Sequence, residues 1–335
     1  MDIAAKIHAN LRIKWKHAYN DIRSTLGMNE RLFKSRPGAR IVVYHGICMS
    51  DHTRFNSIFL RLKTFEAHLK FYSKYFNVIS LDDFYNHRFS KEQFNICITF
   101  DDGFANNYKY VLPLINKYRL PVTFFITGIR DTGGDILWND FLALAQKYGP
   151  AGFDFLNDQF YKNRHKQYVS RTNNKSLKNL LHDKGFADKA ALINLLEPVI
   201  PFKANIKEKD YWLQMTKDEI LRLSVSPFVT IGSHGYYHND LSKISTNDAC
   251  NELIHSKRFL ENIIGKEINA IAFPYGSYTR EVVAQSKSAG YNKLLATDFL
   301  FQEDHSDPYM RDRLTINPYI SLNNQMIAII NGKYQ

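Results

Sequence analysis

The chain has 335 residues, 44% of them apolar, with 24 Phe and 20 Tyr, enough to bury one large core or two modest ones, which excludes a disordered or fibrous protein. Lys and Arg outnumber Asp and Glu by 44 to 33, for a formal charge of +11, so an acidic neighbour such as phosphate, anionic lipid or acidic glycan is expected. Cys48, Cys97 and Cys250 have neither a paired count nor CxxC spacing, which leaves no basis for a disulfide framework or a thiolate metal site.

Residues 1–39 read as an N-terminal helical appendage, with Ile3, Ile7, Leu11 and Trp15 four apart and basic residues between them. The charges break any continuous apolar core of a secretory signal, and no later stretch approaches the roughly 18 apolar residues of a membrane span, so a cytoplasmic location is the default expectation. The stripe is open to two readings: packing against the bottom of the fold, or peripheral contact with an anionic membrane. From residue 40, short apolar runs alternate with amphipathic stretches: Ile41 to Tyr44, Asn77 to Ser80, Ile96 to Phe100, Val122 to Thr127, Val229 to Ser233, Ala270 to Phe273 and Leu294 to Thr297. Their length and their β-branched or aromatic content suit buried strands joined by crossover helices, hence an α/β fold with a parallel barrel or open sheet. Chemistry in such folds gathers at the C-terminal ends of the strands. Residues 150–215 interrupt the alternation and read as a helical insertion, with a run from Ala187 to Leu196. Its aromatics Phe160, Tyr161, Tyr168, Tyr211 and Trp212 either wall a cleft or form a small core.

Three strand ends carry the chemistry. ICITFDDGF, 96–104, runs an apolar strand into two carboxylates and a glycine. Gly103 lets the chain turn so that Asp101 and Asp102 face one cavity, where a divalent cation would offset their repulsion; the alternative is a pair capping a helix that starts near Asn106. In TIGSHGYYH, 230–238, His234 and His238 stand four apart, close enough to share one ion, and two histidines with one carboxylate leave a position open. The alternative is chance spacing in a chain with twelve histidines. His68, His87, His165 and His182 sit in polar contexts and are expected in solvent. AIAFPYGSY, 270–278, brings a third strand to Pro274, Tyr275 and Gly276, a turn whose backbone N–H can face an oxyanion.

With these motifs in hand, the sequence resembles the polysaccharide deacetylases with the NodB homology domain, carbohydrate esterase family 4. TFDDG (99–103), SHGYYH (233–238) and PYG (274–276) match its first three motifs, supported by VVYHGI (42–47) and LPLINKYRLPVTFFIT after the first motif. The resemblance spans residues 40–149 and 216–320 and implies a distorted (β/α)7-type barrel over 40–335, interrupted by the insertion. It implies a hydrolase acting on the linear amide of an N-acetylated sugar, polysaccharide or lipid-linked sugar. Asp101 would be the base that deprotonates water, Asp102, His234 and His238 the metal ligands, and the Tyr275 backbone N–H an oxyanion donor, with Pro274, Gly276 and Trp138 against substrate. Zinc suits two imidazoles and a carboxylate, and cobalt, nickel or manganese fit the same set.

The chain departs from the family pattern twice. The arginine that orients the base in many members is replaced by Ala272, and Arg313 in MRDRLTI is the candidate substitute. The family's last motif, whose histidine supplies the general acid, has no match in LTINPYISL, which leaves His45 and His305 as candidates. Two other functions therefore stand beside deacetylation: a weak or inactive carbohydrate-binding protein on the same fold, and an O-acetyl esterase. Nucleic acid is not an expected partner, because the basic residues are scattered and form no reader motif.

Overall fold

The computed structural model describes residues 3–34 and 36–334; in the first helix the side chains of residues 3–7 and 9–11 fall outside the described set. Nine strands form one parallel sheet: β1 Gly38–Tyr44, β2 Phe76–Val78, β3 Phe94–Phe100, β4 Val122–Ile126, β5 Val229–Ser233, β6 Ala270–Ala272, β7 Lys293–Leu295, β8 Met310–Arg311 and β9 Leu314–Thr315. The order is β8-β7-β6-β5-β4-β3-β1-β9, with β2 added beside β3. Phe94 at the start of β3 pairs with Phe76 of β2, whereas Ile98 further along pairs with Val122 of β4. The strand changes neighbour halfway, and the sheet curls into the distorted (β/α)7-type barrel that the motifs implied. Each of the seven apolar runs forms a strand. The two-residue β8 and β9 were not foreseen, because they are too short to show a period.

The helices outside the sheet follow the expected alternation. The longer ones are α1 Ile3–Thr25, α2 Leu62–Tyr75, α3 Leu112–Tyr118, α4 Trp138–Tyr148, α5 Phe186–Leu196, α6 Lys217–Ser224, α7 Thr246–Ile264, α8 Arg280–Ser288 and α9 Leu322–Asn331. Side-chain alternation along the strands sorts the core into two layers. Val42, Ile96, Ile98, Phe100, Phe124 and Ile271 pack under the helices, while Ile41, Cys97, Phe125, Ala270, Ala272 and Leu295 make a smaller cluster on the other face. Both faces are covered, which is why these strands read as continuous apolar runs.

The segment 150–215 is more mixed than its sequence suggested. It opens with a three-stranded antiparallel meander, Gly152–Phe155, Asp158–Lys162 and Tyr168–Ser170, before the helices Leu177–His182 and α5. Four of its five aromatics face inward: Phe160, Tyr168 and Trp212 join Phe141 of α4 and Leu192 of α5 in a separate core, and Tyr211 packs on Phe55 and Phe59, while Tyr161 is half-exposed. At the N-terminus, the expected stripe lies largely outside the described residues, since nothing is described of the Ile3, Ile7 and Leu11 side chains; Trp15 is exposed.

Candidate metal centre and its surroundings

Asp101 and Asp102 follow β3 directly, and the register explains how two neighbours on one strand serve one cavity. The Asp101 N–H donates to the Tyr44 carbonyl of β1 at 3.0 Å, continuing the ladder. Asp102 and Gly103 then take φ of 75° and 78°, which turns the chain back. Gly103 is required on two counts: the left-handed backbone, and an Ile126 methyl that would lie 2.9 Å from any Cβ. The pair does not cap the next helix but lies buried at the strand end, each carboxylate 4% exposed.

His234 and His238 reach the same point from the end of β5. His234 Nδ1 sits 2.8 Å from the Ala272 carbonyl of β6, so it is the protonated nitrogen, and Nε2 carries the lone pair toward Asp102 Oδ1 at 3.3 Å. His238 takes φ of 57°, which brings its Nε2 to 3.2 Å from the same Oδ1. The loop between them is fixed from behind by buried Glu252 of α7. Its carboxylate accepts the N–H groups of Tyr236 and Tyr237 at 3.1 and 3.0 Å and the Asn239 amide at 2.6 Å. One donor atom each from Asp102, His234 and His238 lies within 4.8 Å of the others, and all three residues are buried. Three convergent donors of this chemistry, one imidazole already locked in the ligating tautomer, fit a divalent cation.

Arg313 lies in the link between β8 and β9 and enters the barrel over the Phe125 ring, 5.4 Å from its centroid. Two of its nitrogens meet the two oxygens of Asp101 at 2.7 Å each, and one also meets Thr99 Oγ1 at 3.2 Å. Small Ala272 lines the cluster that contains Phe125, leaving space for the guanidinium. Burial alone would raise the Asp101 pKa, but Arg313 and then His234 outweigh it and hold the carboxyl below its ordinary value. Asp102 is likewise opposed by burial, yet His234 and His238 take it well below the usual range. For the imidazoles the balance splits. Burial lowers His238, whereas at His234 the burial effect is exceeded by Asp101 and Asp102 and the pKa rises.

The third motif closes one side. Tyr275 takes φ of 60° in the Pro274–Gly276 turn, and its ring lies 4.8 Å from both His238 and His182. Gly276 admits no side chain, because a Cβ would meet Thr297 Oγ1 at 2.1 Å. His182, expected in solvent, thus belongs to the wall of the site, with Nε2 3.4 Å from buried Asp240. His68 is also buried, bonded to the Tyr44 hydroxyl at 2.9 Å. Trp138 begins α4, buried, with its indole N–H beside the Tyr275 hydroxyl and the Lys189 ammonium 4.8 Å from its ring. Lys189 reaches there from α5 and donates to Asn239 at 2.5 Å, so the insertion touches both the second motif's loop and Trp138.

The two histidines considered as proton donors separate. His45, just after β1, is half-buried, and desolvation lowers its pKa; it also feels the charges of Asp102, Asp101, His234 and Arg313. His305 is exposed, its ring against Phe299. Sequence reasoning passed over Asp140. Its carboxyl is buried in α4, held only by Asn56 at 3.4 Å, and its second oxygen has no partner among the described residues. Burial, then the charge on Asp102, pushes its pKa well above the usual carboxylate range. A single Asp in an amphipathic run carries no signal that marks such burial. With Asn56, Asn139, Gln146 and Lys178 it lines a cleft of about 180 Å³.

Comparison with known proteins accords with this geometry. The polysaccharide deacetylase family model matches residues 90–175 and 202–294, while no curated protein matches the chain. Among solved structures, the Streptococcus pyogenes deacetylase PplD in complex with acetate superposes with a TM-score of 0.57 at 14% identity, covering 87% of this chain and 97% of that one. A polysaccharide deacetylase from Bacillus cereus gives 0.53 at 17% identity over 87% and 68% of the two chains. IcaB from Ammonifex degensii gives 0.53 at 13% over 88% and 98%. These likenesses establish a shared fold, and the family match, which covers more than half of the residues and both motif-bearing halves, shows that the chain belongs to the polysaccharide deacetylase family.

Proposed function

We propose that this deacetylase is a divalent-cation-dependent hydrolase that removes the acetyl group from the amide of an N-acetylated sugar, whether in a polysaccharide or on a lipid carrier. The observation that carries the reading is the buried Asp102, His234 and His238 cluster standing beside a carboxylate, Asp101, that an arginine grips by both oxygens. A cation held by Asp102, His234 and His238, with zinc the best match to the donors, supplies Lewis-acid polarisation of the acetyl carbonyl and acidifies water.

The chain's own residues do the rest. Asp101, kept ionised by Arg313, takes the proton from the attacking water; its Oδ2 lies on the cluster's side, 3.9 Å from His234 Nε2. The Tyr275 backbone N–H donates to the oxyanion as the carbonyl becomes tetrahedral, with Pro274 and Gly276 setting its direction. The proton that Asp101 takes from water is the one the leaving amine needs, and His45, facing Asp101 and Asp102, is placed to relay it. Trp138 and Asp140 bound the sugar's side of the cavity, with the free Asp140 oxygen available to its hydroxyls.

Acetate release from a panel of N- and O-acetylated glycans, with Asp101→Asn as the control, tests this. Release from N-acetylated substrates that falls by about 10²-fold or more in the variant is the expected result. Equal behaviour of both proteins on every substrate would remove the catalytic reading. Preference for O-acetyl groups would reassign the bond.

A further inference from the structure

We propose that the outward face of α1, formed by Trp15, Tyr19 and Ile22 and continued by Leu26 just past its end, docks the protein onto an anionic lipid bilayer. This inference rests on the surface of α1 alone and holds whether or not the deacetylase reading does.

The helix is oriented opposite to what a soluble domain requires. An amphipathic helix normally turns its apolar stripe inward. Here Trp15, Tyr19, Ile22 and Leu26, spaced four, three and four residues apart and so on one side, are 75%, 58%, 60% and 67% exposed. The polar side does the docking to the domain. Asn20 donates to Asn324 of α9 at 2.9 Å, Asn324 donates to the His17 carbonyl at 3.1 Å, and Ser321 donates to Asp21 at 2.5 Å. Asn29, past the helix end, adds bonds to the Asn20 carbonyl at 3.1 Å and Ser24 at 2.7 Å. These directional bonds fix the rotation of the helix, so the apolar stripe is held facing away from the domain.

Charge selects the occupant. Arg12, Lys14 and Arg31 are exposed around the stripe, and the Arg23 guanidinium lies over the Tyr19 ring at 5.6 Å. The nearby acids do not offset them on this face, because Asp21 points to the domain side, where it accepts from Ser321 and Asn324, and Glu30 pairs with Lys34 at 2.8 Å. A second copy of the chain would bring the same cations against these, which opposes self-association through this face. Anionic headgroups would meet them, with aromatic rings at the boundary and aliphatic groups beneath.

The three tryptophans make the test direct, since Trp138 and Trp212 are each 2% exposed and only Trp15 is open to solvent. Full-length protein is mixed with vesicles of phosphatidylcholine alone or with about a third phosphatidylglycerol, and read by co-sedimentation, Trp emission and acrylamide quenching. Expected with the anionic vesicles are a blue shift, protection from quenching and at least a tenfold rise in bound fraction, weakening as salt is raised. The variant Ile22→Ser/Leu26→Ser keeps Trp15 as reporter and changes only exposed side chains, so it folds; it is expected to lose the binding tenfold or more. No sedimentation of the parent with either vesicle overturns the proposal. So does a concentration-dependent dimer that this variant abolishes, which assigns the face to a second copy.

Discussion

At the scale of single residues, the Asp101–Arg313 pair decides how the proposed base behaves. Both carboxylate oxygens are held and both partners are buried, so removing the guanidinium leaves a buried acid with nothing to offset desolvation. Arg313→Ala is therefore expected to lower kcat by about 10²-fold and to move the acidic limb of the pH–rate profile upward, while bound metal stays unchanged. Arg313→Lys restores the charge but not the two-pronged contact and is expected to fall between. A pH–rate profile of each variant, with metal content measured alongside, checks both points. A limb that does not move would mean that Arg313 only fills space. The pair was partly legible, because the absence of arginine at Ala272 made another cation necessary and MRDRLTI offered one. Asp140 was not legible: its chemistry comes from burial near Asp102, and composition carries no trace of depth. His182 was misjudged for the same reason, since a polar neighbourhood in sequence became the site wall only through the fold of the insertion.

At the scale of elements, strands announced themselves where both faces are buried, as in Phe94–Phe100, whose seven residues are all inaccessible. The meander of 152–170 hid because one face meets solvent and its Lys and Asn content reads as loop. Helix α5 is tied to the histidine loop by Lys189, whose ammonium is buried; burial takes its pKa down to about 8, with Glu252 and Asp240 pulling the other way. The native state thus holds this proton less tightly than the unfolded chain does. The charged form costs stability fully below about pH 8, and the cost is relieved as pH rises from there toward 10.5, the ordinary value. Lys189→Met removes this dependence. The stability of the parent relative to the variant, from urea unfolding at pH 7 and pH 9.5, is expected to improve at the higher pH. A constant difference would show that the ammonium is not desolvated.

For the molecule as a whole, the site is assembled from the ends of β1, β3, β5 and β6 and from the link before β9, so binding and stability are coupled. Dialysis against a chelator is expected to abolish acetate release and lower the Tm by several degrees, and added zinc to restore both. Loss of activity without any change in Tm would mean that the cation is held elsewhere. The barrel itself was legible from the alternation of runs because each strand is one local decision. The route by which Arg313 enters was not, because it depends on which strands become neighbours after the chain has closed.

That closure has a consequence for the order in which the protein is made. Asp101 and Arg313 are 212 residues apart in the chain, whereas Asp102, His234 and His238 are all synthesised well before Arg313. A nascent chain that has emerged as far as the third motif already owns every ligand of the cluster, but its Asp101 has no guanidinium and, once buried, favours the protonated state. On the proposed mechanism, the contact that keeps the base ionised therefore forms only when the last two strands close the sheet, after all three candidate ligands have been made.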